Sequence, residues 1–119
     1  MTILVALPES IEGKVALEAA VDEAKAQHTD LVVLNLGLTK ITPAALPSDV
    51  QTTIVERSGP ADQDPAEVVL GYLNAHPGIS RLVIGIKRRT PVGKVVFGSV
   101  SQRLLLEAPV PVLAVKPEG

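Results

Sequence analysis

A set of short, uninterrupted apolar runs limits what this chain can fold into. Residues 3–7 (Ile-Leu-Val-Ala-Leu), 31–34 (Leu-Val-Val-Leu), 82–84 (Leu-Val-Ile) and 110–115 (Val-Pro-Val-Leu-Ala-Val) are of strand length and do not alternate with polar residues. An alternating strand keeps one face wet. A strand without alternation is buried on both faces, as in a parallel sheet. Residues 52–55 (Thr-Thr-Ile-Val) are more polar and suit an outer strand.

Helical patterns lie between these runs. Leu17, Ala20, Val21 and Ala24 form one stripe of a helix predicted over residues 12–27. A second helix starts at Asp64, with Pro65 at its first position and Glu67 completing a box-like Asp-x-x-Glu pattern. Its buried stripe is Ala66, Val69, Leu70 and Leu73, and His76-Pro77-Gly78 ends it. A third opens on Ser99-Val100-Ser101-Gln102, a Ser-x-x-Gln capping box. Leu104, Leu105 and Ala108 face inward, and Pro109 stops it.

Strands separated by helices predict βαβ units and a parallel sheet, hence an α/β sandwich of three layers with five strands. The connection over residues 37–51 is the exception. It is long enough for a parallel crossover, but Pro43 and Pro47 leave room for one helical turn at most, opened by Thr42-Pro43. One layer is therefore expected to be thin. At 119 residues the chain is sized for one domain over residues 1–119.

Composition removes several classes of function. There is no cysteine, so thiolate metal sites, disulfides and Cys nucleophiles are excluded. A formal charge of -2 gives no overall attraction to nucleic acid or to an anionic membrane. One Tyr, one Phe and no Trp leave no stacking platform for single strands. No apolar run spans a bilayer, and no basic segment precedes the first run, so a cytoplasmic protein is expected. His28 and His76 fall at predicted helix C-termini, where an imidazolium is favoured by the dipole. Asp22, Glu23 and Glu18 read as the wet face of the first helix. Walker and nucleophile-elbow spacings are absent, and no carboxylate pair stands at ligand spacing.

Ligands of open α/β sheets bind beyond the carboxyl ends of the strands. Of the loops expected there, residues 86–97 stand out. Lys87, Arg88, Arg89 and Lys94 supply four of the chain's 11 Lys and Arg residues with no acid between them, and Gly98-Ser99 and a helix follow. A helix N-terminus offers unpaired N–H groups and partial positive charge, Gly98 lets a phosphate approach the backbone, and Arg can grip it in bidentate fashion. The same residues also read as a plain cap beneath a solvated basic loop, with Val95-Val96-Phe97 packed under it.

At this loop the sequence resembles the universal stress protein family. The family signature is Gly, two residues, Gly, nine residues, Gly, then Ser or Thr. Gly85, Gly98 and Ser99 stand at its first, third and fourth positions, and Arg88 stands at the second. Leu82-Val83-Ile84-Gly85 resembles the family's fourth strand. Residues 98–105 and 108–115 resemble its last helix and strand.

The resemblance implies an adenine nucleotide alpha hydrolase-like fold, here with a shortened crossover between strands 2 and 3 and with strands 1 and 4 as neighbours. It implies binding of ATP, with Mg only alongside ATP, and at most slow hydrolysis. The nucleotide-binding residues would be Gly85, Lys87, Arg88, Arg89, Gly98, Ser99 and Val100, with no catalytic residue or dedicated metal site. It also implies a homodimer through the last strand, Val110 to Val115, and a stress-response role. Two positions depart from the family pattern. Pro8 stands where ATP-binding members carry Asp, and it has neither an acceptor side chain nor an N–H. Arg88 either grips a phosphate or fills the site. The alternative reading is a dimeric interaction module of the same fold that binds no nucleotide.

Overall fold

The computed structural model describes residues 1–8, 10–37, 39–42, 46, 49–57, 63–86 and 99–116. The order of elements is β1 (Thr2–Leu7), α1 (Ile11–Gln27), β2 (Asp30–Asn35), β3 (Thr52–Glu56), α2 (Pro65–Ala75), β4 (Ile79–Gly85), α3 (Ser99–Glu107) and β5 (Val112–Val115). The strands form one five-stranded sheet in the order β3-β2-β1-β4-β5, with every adjacent pair parallel. Three of the four non-alternating runs form the inner strands, the fourth lies in the edge strand β5, and the polar run, β3, is the other edge as expected.

Each inner strand feeds two cores because successive side chains point to opposite faces. Ile3, Val5, Leu31, Val33 and Val83 pack with α1. Leu4, Ala6, Leu34, Leu82 and Ile84 pack with α2 and α3. Helix α1 buries Gly13, Ala16, Ala20, Val21 and Ala24, while Leu17 is only half-buried. The stripe is thus turned from Leu17 toward Gly13 and Ala16, while Ala20, Val21 and Ala24 are buried as expected. Helix α2 buries the four residues expected of it.

Helix α3 differs from expectation. Leu104 is buried and Val100 and Ala108 are half-buried, but Leu105 is 37% exposed. The helix packs beside α2 and buries only Leu104 fully. Its first residue is Ser99. The capping box expected at Ser99 turns on the residues just before it, which lie outside the described residues. Strand β5 is also shorter than the predicted residues 110–115. Pro111 has no N–H to enter the ladder. Its carbonyl accepts from the Leu82 N–H at 3.0 Å, and regular pairing starts at Val112.

The connection between β2 and β3 contains no helix among the described residues; the turn expected at Thr42-Pro43 involves Pro43, which lies outside them. Ile41, Leu46 and Val50 pack against the α1-side core and form the thin layer. Lys25 of α1 pairs with Asp49 at 2.8 Å, and the Leu31 N–H donates to the Gln51 carbonyl at 3.0 Å. Glu23 is not on a wet face: it is half-buried and paired with Arg81 of β4. His28 and His76 do sit at the C-terminal caps of α1 and α2. His28 adopts a left-handed conformation (φ 54°), and the His76 ring stacks on Tyr72 at 3.9 Å.

Candidate functional site

The strand order creates one switch point. From β1 the chain passes through α1 to β2 on one side. From β4 it passes through α3 to β5 on the other, and α1 and α3 cover opposite faces. A sheet of this order is expected to form a crevice beyond the neighbouring ends of β1 and β4, between the N-termini of α1 and α3.

The first wall is built from β1 and α1. The Pro8 carbonyl accepts from the Ser10 N–H at 3.0 Å, and Ser10 Oγ accepts from the Gly13 N–H at 3.3 Å, capping α1. A Cβ on Gly13 would stand 2.1 Å from the Pro8 carbonyl oxygen. A Cβ on Gly85, the last residue of β4, would stand 2.1 Å from the Glu12 carbonyl oxygen. The two glycines thus let the first turn of α1 wedge between the ends of β1 and β4. Neither sits against the tip of a flexible side chain, so neither close approach can be relieved by a rotamer change.

The second wall is the start of α3. Ser99 is exposed in its first turn, and Val100 turns its side chain into the core below. The first turn of a helix has N–H groups without intrahelical partners and partial positive charge. Of the seven residues predicted to bind nucleotide, the structure places Gly85, Ser99 and Val100 at the carboxyl end of the sheet. Lys87, Arg88, Arg89 and Gly98 lie outside the described residues, as do Lys94 and the Val95-Val96-Phe97 group.

Two polar networks near this end were not anticipated. Arg103 of α3 reaches Asp64 at 3.1 Å, Glu107 at 2.9 Å and Glu67, bracing α3 against the start of α2. Glu67, with Glu107 second, holds the Arg103 guanidinium above its ordinary range. Glu67 is thus paired with Arg103 instead of closing a box with Asp64, whose carboxylate alone caps α2 by accepting from the Ala66 N–H at 3.0 Å. Only the i,i+4 spacing of Arg103 and Glu107 was visible in the sequence. The second network centres on Asn35, the buried polar residue ending β2, 2% exposed.

A hollow of about 430 Å³ opens between β3 and α2, lined by Leu34, Val55, Arg57, Tyr72 and His76, away from the switch point. Among the described residues no group of three His, Cys, Asp or Glu side chains is placed to hold a metal, and no helix is long and apolar enough to cross a membrane.

Residues 45–116 match the sequence profile of the universal stress protein family. The chain is also 39% identical to a universal stress protein of Mycolicibacterium smegmatis, over 90% of this chain and 91% of that protein. This chain belongs to the universal stress protein family. Solved structures agree on the fold. A universal stress protein from Archaeoglobus fulgidus superposes with a TM-score of 0.73 at 21% identity, covering 98% of both chains. The Archaeoglobus fulgidus universal stress protein in complex with dAMP gives 0.68 at 18% identity, again covering 98% of both chains. At these identities the structural likeness fixes the fold of this universal stress protein and nothing finer. The two departures at Pro8 and Arg88 remain properties of this chain. Pro8 is exposed at the crevice with no side chain able to accept a hydrogen bond.

Proposed function

We propose that this universal stress protein binds an adenine nucleotide at the carboxyl ends of β1 and β4 and serves a regulatory, stress-response role. One observation carries the reading: the sheet order brings two helix N-termini to one crevice, and the second follows a segment with four basic residues and no acid. Phosphates would lie over Lys87, Arg88, Arg89, Gly98, Ser99 and the Val100 N–H. Gly85 serves the site by holding the α1 and β4 walls together. The dAMP complex of a relative with the same fold supports the ligand class. ATP is the proposed ligand, with Mg bound only alongside it. The reading assigns binding and names no catalytic residue, and it places the protein in the cytoplasm as a single-domain chain.

The same reading includes a homodimer through β5. This edge carries Leu113, 36% exposed, and the nearby end of α3 leaves Leu106 77% exposed. An open apolar edge strand is an association hazard, and pairing it across a two-fold axis removes the hazard. These exposed leucines also favour a second reading, in which the dimer is the functional object and the crevice is empty of nucleotide.

Thermal unfolding with and without ATP separates the two. A ligand that binds only the folded state adds about 2.7 kcal/mol at a hundredfold excess over its Kd. ATP is expected to raise the Tm of the wild type, and Arg88→Glu to abolish that rise while leaving the dimer intact by light scattering. A wild-type Tm unmoved at millimolar ATP contradicts the first reading.

A further inference from the structure

We infer that Asn35 and Glu56 are positioning residues that set the nucleoside end of the crevice; the inference rests on the nucleotide reading above.

Asn35 ends β2 with its side chain fully partnered. Its Nδ2 donates to the Thr39 carbonyl and to Glu56 Oε1, both at 2.8 Å, and its Oδ1 accepts from the Gly37 N–H at 2.9 Å. The second oxygen of Glu56 takes the Ile41 N–H at 3.5 Å. One amide and one carboxylate therefore fix Gly37, Thr39 and Ile41 at once. A buried polar group is tolerated when every donor and acceptor is met, and such a network specifies one backbone arrangement.

The turn it fixes lies on the rim of the crevice. The Leu36 N–H donates to the carbonyl of Leu7, the last residue of β1, at 3.0 Å. Strands lie about 4.8 Å apart, so an extended nucleotide anchored by its phosphates above β4 covers roughly three strand ends. Toward β5 there is one strand and then solvent. Toward β1 the ligand crosses Pro8 and meets the turn after β2. Pro8 offers no acceptor side chain, and the backbone N–H and C=O groups of that turn are the polar groups the ligand meets next. At the described residues of that turn, Asn35 and Glu56 hold Gly37, Thr39 and Ile41.

The test compares a whole nucleotide with its phosphate portion. Kd values for ATP and for inorganic tripolyphosphate are measured by calorimetry on the wild type, Asn35→Asp and Glu56→Gln. Asn35→Asp removes both donors and sets two carboxylates together. Glu56→Gln keeps shape and the Asn35 contact but loses the acceptor for the Ile41 N–H. ATP is expected to weaken about tenfold in Asn35→Asp and severalfold in Glu56→Gln, with tripolyphosphate unchanged within twofold in both. ATP and tripolyphosphate affinities that stay equal to wild type, or that fall in parallel, overturn the positioning role. If Asn35→Asp does not fold, the Glu56→Gln ratio decides alone. Wild-type protein that binds neither ligand overturns the nucleotide reading itself, and this inference falls with it.

Discussion

The two strand-to-helix junctions at the switch point solve different problems with similar materials. From β1 to α1 the chain turns within three residues, and each feature of the turn closes it: Pro8 accepts from Ser10, Ser10 caps α1, and Gly13 presses on the Pro8 carbonyl. From β4 to α3 the chain takes thirteen residues, among them four cations. The first junction packs and the second carries charge. A bare Cα at Gly85 ties them together, because α1 fills the space where a side chain would stand. A glycine that opens the family's one-dimensional signature thus serves, in three dimensions, as a packing residue.

On this division, changes to the contacts that seat α1 against β1 and β4 lower stability without a matching change in phosphate affinity. Gly85→Ala is expected to have the largest effect. Its Cβ would meet the Glu12 backbone at 2.1 Å, which requires a shift of helix or strand, so urea denaturation should show a loss of roughly 3 kcal/mol. An unchanged midpoint would mean that α1 does not wedge against β4. Ser10→Ala removes the α1 cap and is expected to cost about 1 kcal/mol, with tripolyphosphate affinity unmoved. A large loss of phosphate affinity in that variant would erase the distinction between the junctions.

The smallest effect concerns the pair holding the thin layer. Lys25 holds the Asp49 carboxyl below its ordinary range, and Asp49 raises the Lys25 ammonium. The carboxylate's contribution is present above the unfolded carboxylate value and lost as pH falls through the depressed folded value. The ammonium's is present below the unfolded lysine value and lost as pH rises through the raised folded value. Both groups are exposed, so the effect is screened and small. NMR titration is expected to place the Asp49 midpoint below the ordinary aspartate value, and Lys25→Ala to remove that depression.

Much of the fold was legible because it rests on local patterns. Continuous apolar runs marked buried strands, and Asp64-Pro65 marked the start of α2. The stripe Ala66, Val69, Leu70 and Leu73 is the one that the structure buries. The misreadings come from tertiary context. Leu105 fits the stripe of an inward-facing helix, but α3 packs beside α2 with Leu104 inward and leaves Leu105 exposed. Glu23 fits a wet face until β4 brings Arg81 beside it. Within the site, the basic loop was visible as charge. The Asn35–Glu56 pair was not, because its partners are 21 residues apart and meet only through the β2–β3 register.

The most direct measurement is an amide NMR titration with ATP and Mg. The account predicts that the largest shifts fall on Ser99, Val100, Gly85 and the turn at Gly37 and Thr39, with Thr52 to Ile54 of β3 and the Tyr72 and His76 side of the hollow unmoved. Shifts confined to the hollow lined by Tyr72 and His76, or no shifts at millimolar nucleotide, would contradict it.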